Sequence, residues 1–213
     1  MIEHILRKVR RVLYLFAYFP LYILCKIFFR LNVQGKENLP RSKQLLIVAR
    51  HDSYWDPPLI GVAVGPGYTV HFIARKSLLN NPLLALPVKI FTTTISRDNF
   101  GKADLRKMLT ALKEEETICI LPEGTTRETR RPKRGAVKLA ERTGKAFLPV
   151  NISSPHYPPE FPHLFPQITV NIGRPFTVED LKEELENSQD LRSDKYYDLL
   201  SNRMMARIDE ASR

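Results

Sequence analysis

The chain has 213 residues, 43% of them hydrophobic and 26% charged, with a formal net charge of +10 at pH 7. That length suffices for one substantial core, and the absence of any repeat at solenoid spacing argues against a repeat array or a second domain. Two cysteines, Cys25 and Cys119, each inside an apolar run, exclude a disulfide framework and a paired-cysteine metal site, and read as buried thiols in a reducing compartment.

The excess charge sits in two places, residues 1–30 and residues 127–142, each with a net charge of +5. Between the charges of the first region lies the most apolar stretch of the chain, Val12 to Cys25, extended past Lys26 by Ile27, Phe28 and Phe29. No small-x-small cleavage site follows, so no secretory signal is expected. Pro20 halves the uncharged run and basic residues flank both ends, so the expectation is two short amphipathic helices, Ile2 to Phe19 and Leu21 to Leu31. They would dip into one leaflet from the cytoplasmic side, with Tyr14, Tyr18 and Tyr22 at headgroup level. Residues 1–31 are thus assigned to a two-helix membrane-docking motif and 32–213 to an α/β domain. Two separated basic regions, one of them beside an apolar segment, suit an anionic membrane and an anionic substrate better than a nucleic-acid track.

From residue 32 onward short apolar runs alternate with helical ones. Strands are expected at Asn32–Gln34, Leu45–Ala49, Thr69–Ala74, Thr92–Ser96, Thr117–Leu121, Ala146–Ile152 and Gln167–Ile172. Helices are expected at Pro57–Val64, Pro82–Phe91, Phe100–Glu116 and Gly135–Thr143. This pattern predicts an α/β fold, a mixed, largely parallel sheet flanked by helices. Leu105, Met108, Leu109 and Leu112 form a core stripe, Thr177 with Asp180 opens a capped charged helix, and the last twenty residues form another. His4, His71, His156 and His163 have no partner at ligand spacing and read as structural.

Chemistry gathers at strand ends. Arg50-His51-Asp52-Ser53-Tyr54-Trp55-Asp56 follows the buried run Leu45–Ala49. Asp56 stands before Pro57-Pro58, as an N-cap does, and His51 can fold back across the turn onto its carboxylate. A histidine held by an aspartate is a general base. Arg97 follows the fourth strand, Pro122-Glu123-Gly124-Thr125-Thr126-Arg127 the fifth, and Leu148-Pro149-Val150 lies in the sixth, where its proline marks an edge or a bulge.

In this order the motifs resemble those of the glycerolipid acyltransferases, across roughly residues 33 to 175. The resemblance rests on His51 with Asp56, on Arg97, on Pro122-Glu123-Gly124-Thr125, on Lys133 and Gly135, and on Leu148-Pro149-Val150. It implies that His51 is the catalytic base and Asp56 its orienting partner. It also implies that Arg97 and the Glu123-Gly124-Thr125 turn, with Arg127 and Lys133 nearby, bind an acceptor phosphate. The fourth motif would shape the acyl site, and the N-terminal helices would dock on a membrane. Where that family often has Asn before the base, this chain has Arg50.

The residue types agree with that chemistry. A neutral imidazole on a carboxylate can take the proton of a glycerol hydroxyl attacking a thioester, and a thiolate leaves without a strong acid. Arg97 with the N–H groups of the Gly124-Thr125 turn suits a phosphate. Glu123 would be repelled by that phosphate, which leaves it to orient Arg97, Lys133 or an acceptor hydroxyl. No cofactor or metal is required; the donor is acyl-CoA or acyl carrier protein, and the acceptor a lysophospholipid. Two other readings compete, a metal-dependent hydrolase using His51, Asp52, Asp56 and Glu123, and a non-enzymatic membrane-binding module.

Overall fold

Leu45–Ala49 (β2) is buried at every position, which requires cover on both faces of the sheet it belongs to. The computed structural model describes residues 2–96, 99–123, 132–159, 164–185 and 194–212. Around β2 assemble Asn32–Gln34 (β1), Val70–Arg75 (β3), Thr92–Ile95 (β4), Thr117–Ile120 (β5), Ala146–Ser153 (β6) and Thr169–Ile172 (β7), in the spatial order β1-β7-β6-β2-β5-β3-β4. The block β6-β2-β5-β3-β4 is parallel; β7 runs antiparallel to β6, and β1 is parallel to β7. This is the mixed, largely parallel sheet that the alternation of elements implies.

Right-handed crossovers decide which face each helix covers. Asp56–Val64 (α2) and Pro82–Phe91 (α3) connect strands moving outward from β2 toward β4, so they share one face. Lys102–Glu114 (α4) and Gly135–Thr143 (α5) return across the sheet on the other face, where Val178–Leu185 (α6) and Asp194–Glu210 (α7) join them. Thr177 and Asp180 form the expected reciprocal cap on α6 through two bonds of 2.7 and 3.2 Å. Pro149 lies inside β6, paired with Val48. The antiparallel partners step from Phe147–Phe176 to Val150–Ile172, a one-residue slip that places Pro149 at a bulge.

The N-terminal segment differs from the broken pair of helices that Pro20 suggests. It is one helix, Ile2–Phe28 (α1), with Pro20 inside it. Tyr14, Tyr18, Cys25 and Phe29 recur at helical spacing and are buried, on a stripe that crosses the proline without interruption. Tyr14 donates to the Gly61 carbonyl at 3.2 Å and Tyr18 to that of Val62 at 3.4 Å. These two rings therefore serve the α1–α2 contact and not a headgroup layer. A proline inside a helix costs about 3 kcal/mol, and a stripe pinned on both sides of it outweighs that cost. Cys25, Phe29 and Leu31 enter the same core as β2 and α2.

Arg10 is likewise turned inward, ion-paired with Glu115 beside His71. His71 is buried, its Nε2 lies 2.9 Å from the Thr93 hydroxyl, and its Nδ1 faces the Arg10 guanidinium, so the ring is neutral and donates from Nε2. Burial first, then Arg10, pushes its pKa down to about 4, with Glu115 opposing. Below the ordinary histidine range the unfolded chain binds a proton that the folded chain refuses. Folding stability should therefore fall as pH drops from about 6.5 to about 4, by about 3 kcal/mol at most, and level off below that. Urea unfolding of wild type and His71→Asn across that window checks this: the variant should lose that part of the slope.

Candidate active site

The parallel block delivers the C-terminal ends of β2, β5, β3, β4 and β6 to one edge of the sheet, and β2 lies at its centre. Arg50 and His51 follow β2 directly, and Glu123 follows β5, the neighbouring strand. Sheet geometry alone therefore sets these side chains within one or two strand spacings of each other, about 5 to 10 Å.

Asp56 is the first residue of α2, not its N-cap, which is Trp55. Its carboxylate turns back over the preceding loop instead of capping forward, because Pro57 and Pro58 offer no N–H to it. Oδ2 accepts the backbone N–H groups of Asp52 and Ser53 at 2.8 and 2.9 Å and lies 2.9 Å from His51 Nδ1. Oδ1 accepts the hydroxyl of Tyr157. Asp56 is 1% exposed, and both its oxygens are occupied by donors. His51 Nδ1 must then carry the hydrogen, which leaves the lone pair on Nε2, an atom with no hydrogen-bond partner among the described residues. An imidazole so oriented can accept a proton at Nε2 while the carboxylate stabilises the resulting cation.

Glu123 is 3% exposed. Sequence reasoning sets Arg97, Lys133 or an acceptor hydroxyl against it; among the described residues Arg50 is set there too, and Arg97 lies outside them. Arg50 Nη1 donates to Glu123 Oε1 at 2.9 Å, and the His51 N–H donates to Oε2 at 3.1 Å. Arg50 is held from behind by Asp209 in the last turn of α7, through Nε and Nη2 at 2.7 and 2.6 Å. These bonds, above all those to Asp209, keep the guanidinium charged well beyond its ordinary range. A chain of contacts thus runs from the C-terminal helix through Arg50 and Glu123 to the backbone of His51.

Lys133 is exposed, and its backbone N–H donates to the Pro122 carbonyl at 3.1 Å, which brings it to the same edge. Arg97, Gly124, Thr125 and Arg127 lie outside the described residues, as does His163. Two residues to which sequence reasoning assigned no role complete the site. Tyr157 sits in a proline-rich loop whose spacing carries no signal; burial first, then the Asp56 carboxylate, raises its pKa, so it stays a donor. Arg50 is visible as a cation at a strand end, but its partner Asp209 is 159 positions away.

Residues 30–153 match the model of a family described as Acyltransferase. Over 126 residues the chain is 32% identical to a 1-acyl-sn-glycerol-3-phosphate acyltransferase of Bacillus subtilis, a match spanning 58% of this chain and 63% of that protein. Over 129 residues it is 29% identical to the protein of the same description from Borreliella burgdorferi, spanning 58% of this chain and 51% of that one. The chain thus spans between half and two-thirds of the length of these relatives. Among solved structures, the 1-acyl-sn-glycerophosphate acyltransferase PlsC of Thermotoga maritima superposes with a TM-score of 0.61 at 20% identity, covering 90% of this chain and 78% of that one. At that identity the likeness speaks to the fold.

Proposed function

The chain belongs to the acyltransferase family, and on that premise we propose that it transfers an acyl chain from an acyl thioester to the free hydroxyl of a lysophospholipid, 1-acylglycerol 3-phosphate, yielding phosphatidic acid. The names of the relatives support the acceptor. The observation that carries the mechanism is the His51 Nδ1 to Asp56 Oδ2 contact of 2.9 Å at the end of β2, with Nε2 left over. In this reading Nε2 takes the proton of the acceptor hydroxyl as its oxygen attacks the thioester carbonyl. The new C–O bond forms, the C–S bond breaks, and the proton passes from the imidazolium to the departing thiolate. Transfer is direct. Cys119 is 1% exposed and burial pushes its thiol pKa up, which disfavours a nucleophilic thiolate. Acyl-CoA or acyl carrier protein serves as donor, with no cofactor or metal. A panel of lysolipids offered to the purified protein with one acyl thioester tests the acceptor: lysophosphatidic acid should give the highest kcat/KM, and a preference for a neutral or zwitterionic headgroup would contradict it.

Arg97, with Gly124, Thr125, Arg127 and Lys133, is assigned to the acceptor phosphate. Arg97→Ala should raise KM for the lysophospholipid by about a hundredfold while moving KM for the thioester by less than about threefold. Equal effects on both substrates would remove Arg97 from the phosphate site.

The lysolipid acceptor and the lipid product call for a membrane surface. Within α1, Lys8–Phe28 is long and apolar enough to cross a bilayer by length and composition, and only 11% of it is buried against the protein. Because Arg10 and the buried tyrosine stripe bind it along its length to the domain, α1 is assigned to one leaflet of the cytoplasmic face, in monotopic fashion. Leu13, Phe16, Phe19, Ile23 and Phe28 are exposed for this contact. Exposed Lys8, Arg11 and Arg30 would add about 1 kcal/mol each on an anionic surface. Binding should be tighter to anionic than to neutral vesicles, by a margin that shrinks as salt rises, as a flotation series would show.

A further inference from the structure

α3 is an apolar helix whose only charge is Lys89, and its outward residues are not the ones its packing uses. Val88 is buried and Phe91 meets Tyr14 of α1 edge-on at 5.9 Å between ring centres. Leu83 and Leu86, three positions apart and so on one side of the helix, are 86% and 67% exposed. A single exposed leucine is ordinary, but two neighbours on one side of a helix whose only charge is Lys89 make an apolar patch. Both α3 and α1 lie on the same face of the sheet and meet through Phe91 and Tyr14, and α1 also covers α2, whose residues Leu59 to Val64 are buried. The outward surface of that face is therefore supplied by α1 and α3 together. Exposed Lys76 precedes α3 and exposed Lys89 lies near its end, as Lys8, Arg11 and Arg30 border the apolar stripe of α1.

We propose that α3 is a second bilayer contact, inserted through Leu83 and Leu86 alongside α1; this rests on the membrane reading of α1 above. A lone helix lying in an interface leaves the attached domain free to roll about the helix axis. A second apolar contact on a neighbouring helix removes that freedom and fixes which edge of the domain meets the lipid. α3 starts just beyond the C-terminal end of β3, on the sheet edge that also carries His51, so the fixed edge is the one bearing the proposed catalytic base. An apolar patch rimmed by lysines and arginines suits an anionic lipid surface; a second copy of this chain would bring the same cations against each other.

The test uses the full chain with a single introduced cysteine, Leu83→Cys, carrying an environment-sensitive fluorophore; native Cys25 and Cys119 are buried. Phe16→Cys on α1 and Lys107→Cys on the opposite face serve as controls. With phosphatidylglycerol-containing vesicles, labels at 16 and 83 should both shift to the blue and be quenched by nitroxide-bearing lipids, and the label at 107 should do neither. A response at 16 with none at 83 would overturn the second contact and leave α1 attachment intact. No response at either would overturn the membrane reading itself. A shift at 83 that grows with protein concentration in the absence of vesicles would assign the patch to self-association instead. Leu83→Glu with Leu86→Glu should weaken vesicle binding by more than about tenfold. Turnover of a water-soluble short-chain acceptor should be unchanged.

Discussion

His51→Ala is expected to lower kcat/KM for acyl transfer by about a thousandfold or more, with an unchanged unfolding transition. The imidazole is 14% exposed and, among the described residues, gives one side-chain bond to the fold, the contact to Asp56, so its removal leaves the loop supported by the Asp52 and Ser53 N–H groups. Asp56→Asn should behave differently. Two backbone N–H groups require an acceptor at the position of Oδ2, so the amide keeps its oxygen there and the loop survives, while the charge that stabilises the imidazolium is gone. A loss of about a hundredfold follows, together with a measurable drop in stability from the altered partner of Tyr157. Steady-state kinetics of both purified variants, beside their melting curves, check this; near wild-type turnover in His51→Ala would remove the general base.

Glu123→Gln is expected to be nearly as damaging, for a structural reason. Its carboxylate is buried and bridges Arg50 to the His51 N–H, so the neutral amide leaves a partly buried guanidinium undercompensated and must turn its NH2 toward one of two donors. A loss of about 2 to 3 kcal/mol in folding stability follows, below the figure for a fully buried pair because Arg50 keeps Asp209. Displacement of the His51 backbone should lower kcat by about a hundredfold as well. Asp209→Asn touches an exposed pair and should cost less than about 1 kcal/mol. The order Glu123, Arg50, Asp209 in severity, by urea unfolding and kcat together, is the check. An Asp209 variant as damaged as the Glu123 variant would mean that the C-terminal helix, not the β5 end, holds the site together.

How much of this can be read from residues depends on how local the determinant is. The inner strands and the sheet class follow from short apolar runs, because a strand covered on both faces must be apolar along its length, whereas the edge strands β1 and β4 are short and only partly buried. The His51 and Asp56 contact is also local, five positions apart across a turn. Pro20 misleads because a breaker acts on the helix backbone alone, whereas the buried stripe from Tyr14 to Phe29 depends on α2 lying beneath it. The same limit hides Arg50: its anchor Asp209 is brought near only by α7 packing against the sheet, and no spacing in the chain announces it. Tyr157 is missed for the same reason, since its partner Asp56 is 101 positions away.

The measurement closest to the central claim is thiol release by the purified chain from an acyl thioester, followed with and without 1-acylglycerol 3-phosphate, with lipid products identified in parallel. Direct transfer driven by His51 predicts thiol release only when the acceptor is present, one phosphatidic acid formed per thiol, and neither in His51→Ala. Thiol released at the same rate without acceptor, with free fatty acid as the product, would contradict the account and make the chain a thioester hydrolase.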